Sequence, residues 1–208
     1  MIPHSIRMIL IRHGQTDWNA EGRLQGRQNV PLNGVGREQA RCNGLALKAL
    51  ADREGLRLER FDWVSSPLGR TRETMEIVRG VLGMDPSAYR TDEQLIEISF
   101  GDWEGSTLPE VESRDRVAHA ARQTDKWAYV PPGGESYEML SERVRAWLRS
   151  REHDTICVCH GGIIRAVRGL VLGVPVDEVP VFPVPQDHFA VIEGGRETWH
   201  AGVPATAI

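Results

Sequence analysis

Met8-Ile9-Leu10-Ile11-Arg12-His13-Gly14 is a short apolar run that ends in a guanidinium, an imidazole and a residue with no side chain. An apolar run of this length bounded by polar residues reads as a buried strand. The three residues after it then sit at the sheet edge where α/β proteins bind ligands. They supply the parts needed to hold a phosphate and attack it. A second run, Thr155-Ile156-Cys157-Val158, leads into Cys159-His160-Gly161-Gly162, so a second strand candidate ends in a second His-Gly. Between the two lie Ser65-Ser66-Pro67-Leu68-Gly69-Arg70-Thr71-Arg72-Glu73-Thr74 and Leu95-Ile96-Glu97-Ile98-Ser99-Phe100-Gly101-Asp102-Trp103-Glu104-Gly105.

Strands are expected at Arg7–Ile11, Phe61–Val64, Thr155–Val158 and Phe189–Glu193, with helices between them. Cys42, Leu45, Ala46 and Ala49 keep helical spacing behind a candidate N-cap at Asn33. Thr71, Met75, Val78 and Leu82 share a face between Pro67 and Gly83. Tyr137, Leu140, Val144, Trp147 and Leu148 mark a third helix, and Ile163, Ile164, Val167, Leu170 and Val171 a fourth. Strands alternating with helices argue for a three-layer α/β/α sandwich around a mostly parallel sheet. The stretch from Thr107 to Tyr129 is charged and poorly periodic, and Pro131-Pro132-Gly133-Gly134 closes it off. It reads as an insertion over the ligand edge, a lid spanning about 106–130 of a single 1–208 domain. The tail Ala201–Ile208 carries no strong signal.

A chain of 208 residues can bury a substantial core as one domain. A net charge of -4 leaves no electrostatic footprint for nucleic acid or an anionic membrane. The start Met1–Arg7 has no long apolar core, and the run ending at Ile11 is too short for a membrane span. Cys42, Cys157 and Cys159 are an odd, sparse set, unlike a disulfide framework. A reduced, cytoplasmic protein is the expectation.

With these four segments in this order, the chain resembles the histidine phosphatase superfamily, in the branch of cofactor-dependent phosphoglycerate mutases and small phosphatases. The resemblance runs from about Arg7 to Gly173. Hydrolysis of a phosphate ester without a metal needs a nucleophile, cations on the equatorial oxygens and an acid for the departing alkoxide. His13 is the candidate nucleophile, forming a phosphohistidine; the plain alternative is a strand-end histidine capping a carbonyl. Arg12 and Arg70 would grip the phosphate with their planar forks. The family pattern puts its arginine where Arg70 stands, and helical positions 70 and 72 point about 200° apart, which leaves Arg72 a surface role. The resemblance assigns His160 to the phosphate pocket, as a cation, with Gly161 beside it.

It also implies Glu97 as the general acid, since Leu95-Ile96-Glu97 ahead of Gly101-Asp102-Trp103-Glu104-Gly105 reproduces the family's spacing. Asp102 and Glu104 compete for that role. Asn19 and Gln25 stand where related enzymes use amide groups near the phosphate, with Gly22 and Gly26 curling the loop back. No metal and no cofactor is expected. Cys157 and Cys159 project to one face of a strand and His160 to the other, which works against a C-x-C-H chelate.

The departures from the mutases favour a phosphatase acting on a small phosphorylated metabolite. Phe100 replaces the mutase tyrosine, Leu108 stands where a lysine is expected, and Arg114 and Arg116 are not adjacent. Gln15-Thr16 also follows Gly14 where mutases continue Glu-Ser. A mutase, or a binding module that keeps the pocket without chemistry, are the alternatives. Loss of His13 or Glu97 would mark a binding module, and both are present. Trp103, Trp127 and Tyr129 are either a wall for the substrate's alcohol or plain core. Val174–Val184 is either an interface, as in a homodimer, or a packed crossover.

Overall fold

The first apolar run is β1 (Met8–Arg12), and it pairs in parallel with β4 (Thr155–Cys159), Arg12 lying beside Cys159. The computed structural model describes residues 6–204; the two ends of the chain, including part of the featureless start and tail, lie outside them. β2 (Asp62–Ser65) pairs in parallel with β4 on its other side, and β3 (Arg90–Thr91) in parallel with β2. β5 (His188–Glu193) and β6 (Arg196–Ala201) continue the sheet antiparallel beyond β1, giving the order β3-β2-β4-β1-β5-β6.

Two strands lie outside the expected set. β3 is two residues long, too short for any periodicity. β6 alternates exposed and half-buried positions at the sheet's edge. Its one signal is the Gly194-Gly195 pair, both at positive φ, the two-residue loop that lets antiparallel strands turn back without splaying. Ala201, read as the start of the tail, is the end of this strand.

Helices cover both faces, so the three-layer sandwich expected from the alternation is what the chain forms. α1 is the single turn Asp17–Ala20. α2 (Gly34–Glu54) and α3 (Gly69–Val81) pack with Ile9, Ile11, Ile156 and Val158 on one face of the sheet. α6 (Tyr137–Arg149) and α7 (Gly161–Leu172) pack with Met8, Leu10, Cys157 and Cys159 on the other. The residues expected to face inward on α3, α6 and α7 do so, except that Leu82 caps α3 and Leu170 is half-buried.

On α2 the expected stripe is displaced. Its buried residues are Gly36, Ala40, Asn43, Gly44, Ala46, Leu47, Leu50 and Ala51, so of the expected stripe Ala46 is buried, whereas Ala49 is exposed and Cys42 and Leu45 are only partly covered. Apolarity misleads here because Gly36, Asn43 and Gly44 carry no apolar side chain. A side chain at Gly44 would meet Val81 and Val78 of α3, so this position sets how closely the two helices approach. Asn43 Nδ2 donates to the Gln186 carbonyl at 3.0 Å, which satisfies one of its two polar ends; its Oδ1 is buried without a partner among the described residues.

α4 (Leu108–Arg114) and α5 (Arg116–Thr124) form the charged insertion. Asn33, Thr107 and Ser136 cap α2, α4 and α6 by accepting from backbone N–H groups. In the 174–184 segment Val179 and Val184 are buried and Phe182 packs against the core, while Val176 and Val181 are exposed. Among the described residues no helix is long and apolar enough to cross a membrane.

Candidate active site

Parallel pairing places the ends of β1, β4 and β2 side by side. His13 N–H donates to the Cys159 carbonyl and Ser66 N–H to that of Val158, so the residues leaving three strands converge. His13 and His160 emerge with ring centroids 5.2 Å apart, both buried. A pocket of about 130 Å³ opens beside them, lined by Arg12, His13, Asn19, Gln25, Arg70, Glu97 and Gly161 among others. Seven of the eight residues picked from the sequence therefore line one pocket, and the eighth, His160, stands against His13.

The hydrogen bonds assign the tautomer of His13. Nδ1 lies 2.8 Å from the Gly14 carbonyl oxygen, which can only accept, so Nδ1 carries the proton. Nε2 is left with its lone pair and accepts from Arg70 Nε at 3.2 Å. Gly14 itself admits no side chain, because a Cβ there would run into the Gly36 backbone.

Burial, then the positive charges of Arg70 and Arg12, push the His13 pKa well below the ordinary value of 6.5. Burial, Arg70 and His13 push His160 down in the same way. Burial beside the arginines thus favours the neutral form of both imidazoles, whereas the cationic His160 of the expectation is the form with a phosphate beside it. One ring nitrogen of His160, Nε2, meets Ser66 Oγ at 2.7 Å; the other, Nδ1, is buried without a partner among the described residues.

These shifts make a stability prediction. A histidine whose folded pKa lies below its unfolded value binds more protons in the unfolded chain. Stability is therefore complete above pH 6.5 and is lost as pH falls below it, by at most about 1.4 kcal/mol per histidine per pH unit. Burial raises the Asp62 pKa, but pairing with Arg90 and Arg151 outweighs it and holds the carboxyl below 3.8, so this group becomes vulnerable only at lower pH. Urea midpoints should stay level from pH 7.5 to about 6.5 and then fall toward pH 5.5 in the wild type, and fall less steeply in His160→Gln. Equal slopes would show that these rings do not bear the strain of acid.

Arg70, in the first turn of α3, is 1 % exposed. Nη1 and Nη2 donate to the carbonyls of Gln28 and Gly26 at 2.6 and 2.8 Å, so the loop after α1 is fastened around the guanidinium. Gly26 holds the loop at φ +50° where a side chain would strike Glu104. Arg72 is exposed and reaches Tyr89 Oη instead, as the helical geometry implied. Arg12 donates to the Val184 carbonyl at 2.6 Å, but its Nε is buried without a partner among the described residues. Burial lowers both guanidinium pKa values to about 10, which still leaves them charged near neutrality.

Glu97 reaches the pocket from irregular backbone between Leu95 and Gly101. Oε1 accepts from Ile98 N–H at 2.9 Å and Oε2 from Gly162 N–H at 3.2 Å, the latter in the first turn of α7. Its competitors do other work. Asp102 is exposed, and Glu104 accepts from Arg27 and Phe100 N–H, Ser99 Oγ and Gln28 Nε2, tying two loops together. Asn19 Oδ1 is taken up by the cap of α1 and by Gln186 Nε2, and Gln25 Oε1 is buried without a partner among the described residues. Both line the pocket, but neither loop offers a periodic signal that would place them.

Trp103 is buried and stacks on Tyr129 at 5.6 Å, and Trp127 packs against the core; neither tryptophan lines the His13 pocket. The aromatic lining comes from Phe100 and Tyr137. Arg23 and Arg165, also in the lining, are absent from the sequence reading. Arg165 has a legible position, one helical turn after Gly161. Arg23, paired with Glu21 and Glu110, has none.

Three buried polar atoms without partners, Arg12 Nε, His160 Nδ1 and Gln25 Oε1, surround this one cluster. Two belong to side chains suited to an oxyanion, and buried polar groups are rarely left unpaired. The sequence matches the family model described as histidine phosphatase superfamily (branch 1) over residues 8–203. The glucosyl-3-phosphoglycerate phosphatase of Mycolicibacterium vanbaalenii is 34% identical over 188 residues, 84% of this chain and 78% of that protein. A Salmonella paratyphi C protein named "Probable phosphoglycerate mutase GpmB" is 30% identical over 175 residues, 82% of this chain and 76% of that one. Among solved structures, the alpha-ribazole phosphatase from Shigella flexneri has a TM-score of 0.77 at 25% identity, covering 98% of both chains.

Proposed function

The chain belongs to the histidine phosphatase superfamily, branch 1, and from that premise we propose that it hydrolyses a small phosphomonoester through a phosphohistidine on His13. The observation that carries this reading is the His13 imidazole. It is buried and held toward the neutral form, its Nδ1–H is tied to Gly14, and its Nε2 lone pair faces Nε of the buried Arg70, with the charge of Arg12 also acting on the ring. A neutral imidazole so held is a nucleophile that need not first lose a proton.

Nε2 attacks phosphorus as the ester P–O bond breaks, and Glu97 gives its proton to the departing alkoxide oxygen. The Glu97 carboxylate then takes a proton from water, the water oxygen attacks phosphorus, and the P–N bond breaks to release inorganic phosphate. Arg12 and Arg70 stabilise charge on the equatorial oxygens in both steps, with His160 Nδ1 and the Gly161 backbone beside them. A bound dianion would also raise the His160 pKa, so the ring can become the cation that burial beside the arginines otherwise disfavours.

The metabolite is small because the pocket is. Relatives named as phosphatases of glucosyl-3-phosphoglycerate and α-ribazole support a substrate among phosphorylated sugar-like alcohols. The insertion at 106–130 serves as the lid over this edge. Free thiols at Cys42, Cys157 and Cys159 suit a reducing, cytoplasmic setting.

The test is inorganic phosphate release from 3-phosphoglycerate, sugar phosphates, nucleotides and p-nitrophenyl phosphate in excess EDTA. Release unchanged by EDTA is expected, since no step above passes through a metal. Abolition by EDTA would overturn the metal-independent reading. Transfer of the phosphoryl group to a second hydroxyl, in place of release to water, would establish the mutase alternative.

A further inference from the structure

The coil that carries Glu97 is held from behind by arginines. The carbonyls of Gln94 and Ile96 both accept from Nη1 of Arg143 in α6, at 2.6 and 2.9 Å. The carbonyl of Glu97 itself accepts from Arg27 Nε at 3.4 Å. Three carbonyls of this irregular stretch thus find donors in arginine side chains, where a regular element would supply backbone N–H groups. Leu95 and Ile98 are buried with the residues of α6 and α7, which sinks the coil to a fixed depth. Arg143 sets how the peptide groups between them are turned, and with them the direction in which Glu97 leaves the backbone.

Arg143 is itself braced. Its Nε and Nη2 meet the two carboxylate oxygens of Glu135 at 3.2 and 2.9 Å, a two-point pairing that fixes the plane of the guanidinium. Glu135 is buried, and its N–H donates to the Ser99 carbonyl at 2.9 Å. Oε2 of Glu135 also accepts from Arg27 Nη2 at 3.4 Å. Arg27 lies between Gly26 and Gln28, whose carbonyls grip Arg70. Glu135 therefore ties the coil bearing Glu97 to the loop fastened around Arg70. A buried ion pair is a poor source of net stability, and its best-attested use is to specify one arrangement over others.

We infer that Arg143, braced by Glu135, is the positioning residue for Glu97: it stands outside the lining of the His13 pocket and sets where the Glu97 carboxyl lies relative to His13 and the departing oxygen. The inference rests on the reading of Glu97 as general acid and deepens it.

A double-mutant cycle tests this, run on the alkyl phosphate that the wild type hydrolyses fastest and on p-nitrophenyl phosphate. Arg143→Lys keeps the positive charge, which is also felt at His160. One ammonium group cannot replace the planar fork that holds two carbonyls and both carboxylate oxygens. Misplacement by about 1 Å can cost a hundredfold in rate. With the alkyl ester, kcat should therefore fall by about tenfold to a hundredfold, while KM changes by less than about threefold. Phosphorylation of His13 by p-nitrophenyl phosphate needs no proton donor and should slow by less than about threefold. In the Glu97→Gln background, Arg143→Lys should change alkyl-ester kcat by no more than about twofold, because a residue acting through the carboxyl has nothing left to position. Glu135→Gln, which weakens the brace, should repeat the pattern in milder form, and it reports even if Arg143→Lys does not fold. Losses that are absent, equal on the two esters, or fully additive with Glu97→Gln overturn the positioning role. Alkyl-ester turnover by Glu97→Gln equal to that of the wild type would instead overturn the acid reading beneath it.

Discussion

His13→Ala should lower kcat/KM by at least about 10⁴-fold on every ester the wild type hydrolyses, the scale on which removal of a nucleophile acts. The argument is geometric. Nδ1–H of His13 is committed to the Gly14 carbonyl, so Nε2 keeps the lone pair and faces Arg70 Nε at the edge of the pocket. His160 is the other imidazole nearby; its Nε2 meets Ser66 Oγ, its Nδ1 is buried without a partner among the described residues, and it does not line the pocket as His13 does. Removing the His13 ring leaves the arginines able to bind phosphate, so substrate affinity should change far less than turnover. Brief incubation of the wild type with a ³²P-labelled ester should leave an acid-labile, base-stable label on the protein, absent from His13→Ala. His13→Asn, which keeps a polar group near the Arg70 Nε–H, guards against a mere folding defect. A folded variant retaining more than about a hundredth of the activity would move the nucleophile to His160 or to water.

What the sequence discloses about this site follows from chain continuity. Arg12, His13 and His160 directly follow apolar strands, so the edge they occupy is fixed once β1 and β4 are seen as buried. Arg70 is picked out by the family pattern, and helical geometry adds only that positions 70 and 72, about 200° apart, do not share a face. Glu97 sits on irregular backbone held by two N–H groups, one its neighbour's and one from α7. No local period marks it, and the family spacing alone picks it out. Arg165 lies one helical turn after Gly161 and shares its face, whereas Arg23 sits in the loop after α1 with no pattern to place it. The fold shows the same division. Strands with strong apolar runs are legible, whereas β3 is too short for a pattern and β6 has one polar edge and only the Gly194-Gly195 turn to announce it. The α2 stripe is displaced because Asn43 and Gly44 are buried for reasons of hydrogen bonding and close approach, which a count of apolar residues does not register.

Glu97→Gln separates general acid catalysis from simple binding through the leaving group. An alkyl phosphate departs as a strongly basic alkoxide, so loss of its proton donor should lower kcat by about 10²–10⁴-fold. p-Nitrophenolate is a weak base and can depart unprotonated. Phosphorylation of His13 by p-nitrophenyl phosphate should therefore survive in the variant far better than phosphorylation by an alkyl ester. The second half of the reaction should not be spared, because an amide in place of the carboxylate cannot take a proton from water. The expected result with p-nitrophenyl phosphate is a burst of nitrophenol equal to one equivalent of enzyme, followed by slow turnover as phosphohistidine accumulates. The amide preserves the shape of the side chain, and its oxygen can still accept from Gly162 or Ile98 N–H, so the first turn of α7 is not left without a partner. Quenched-flow measurement of nitrophenol and of protein-bound phosphate in the same sample decides the matter. Burst and label together establish Glu97 as acid in one step and base in the next. Equal losses on alkyl and aryl esters with no burst would make Glu97 a structural tie between its coil and α7, and the search for the acid would turn to the bound phosphate itself.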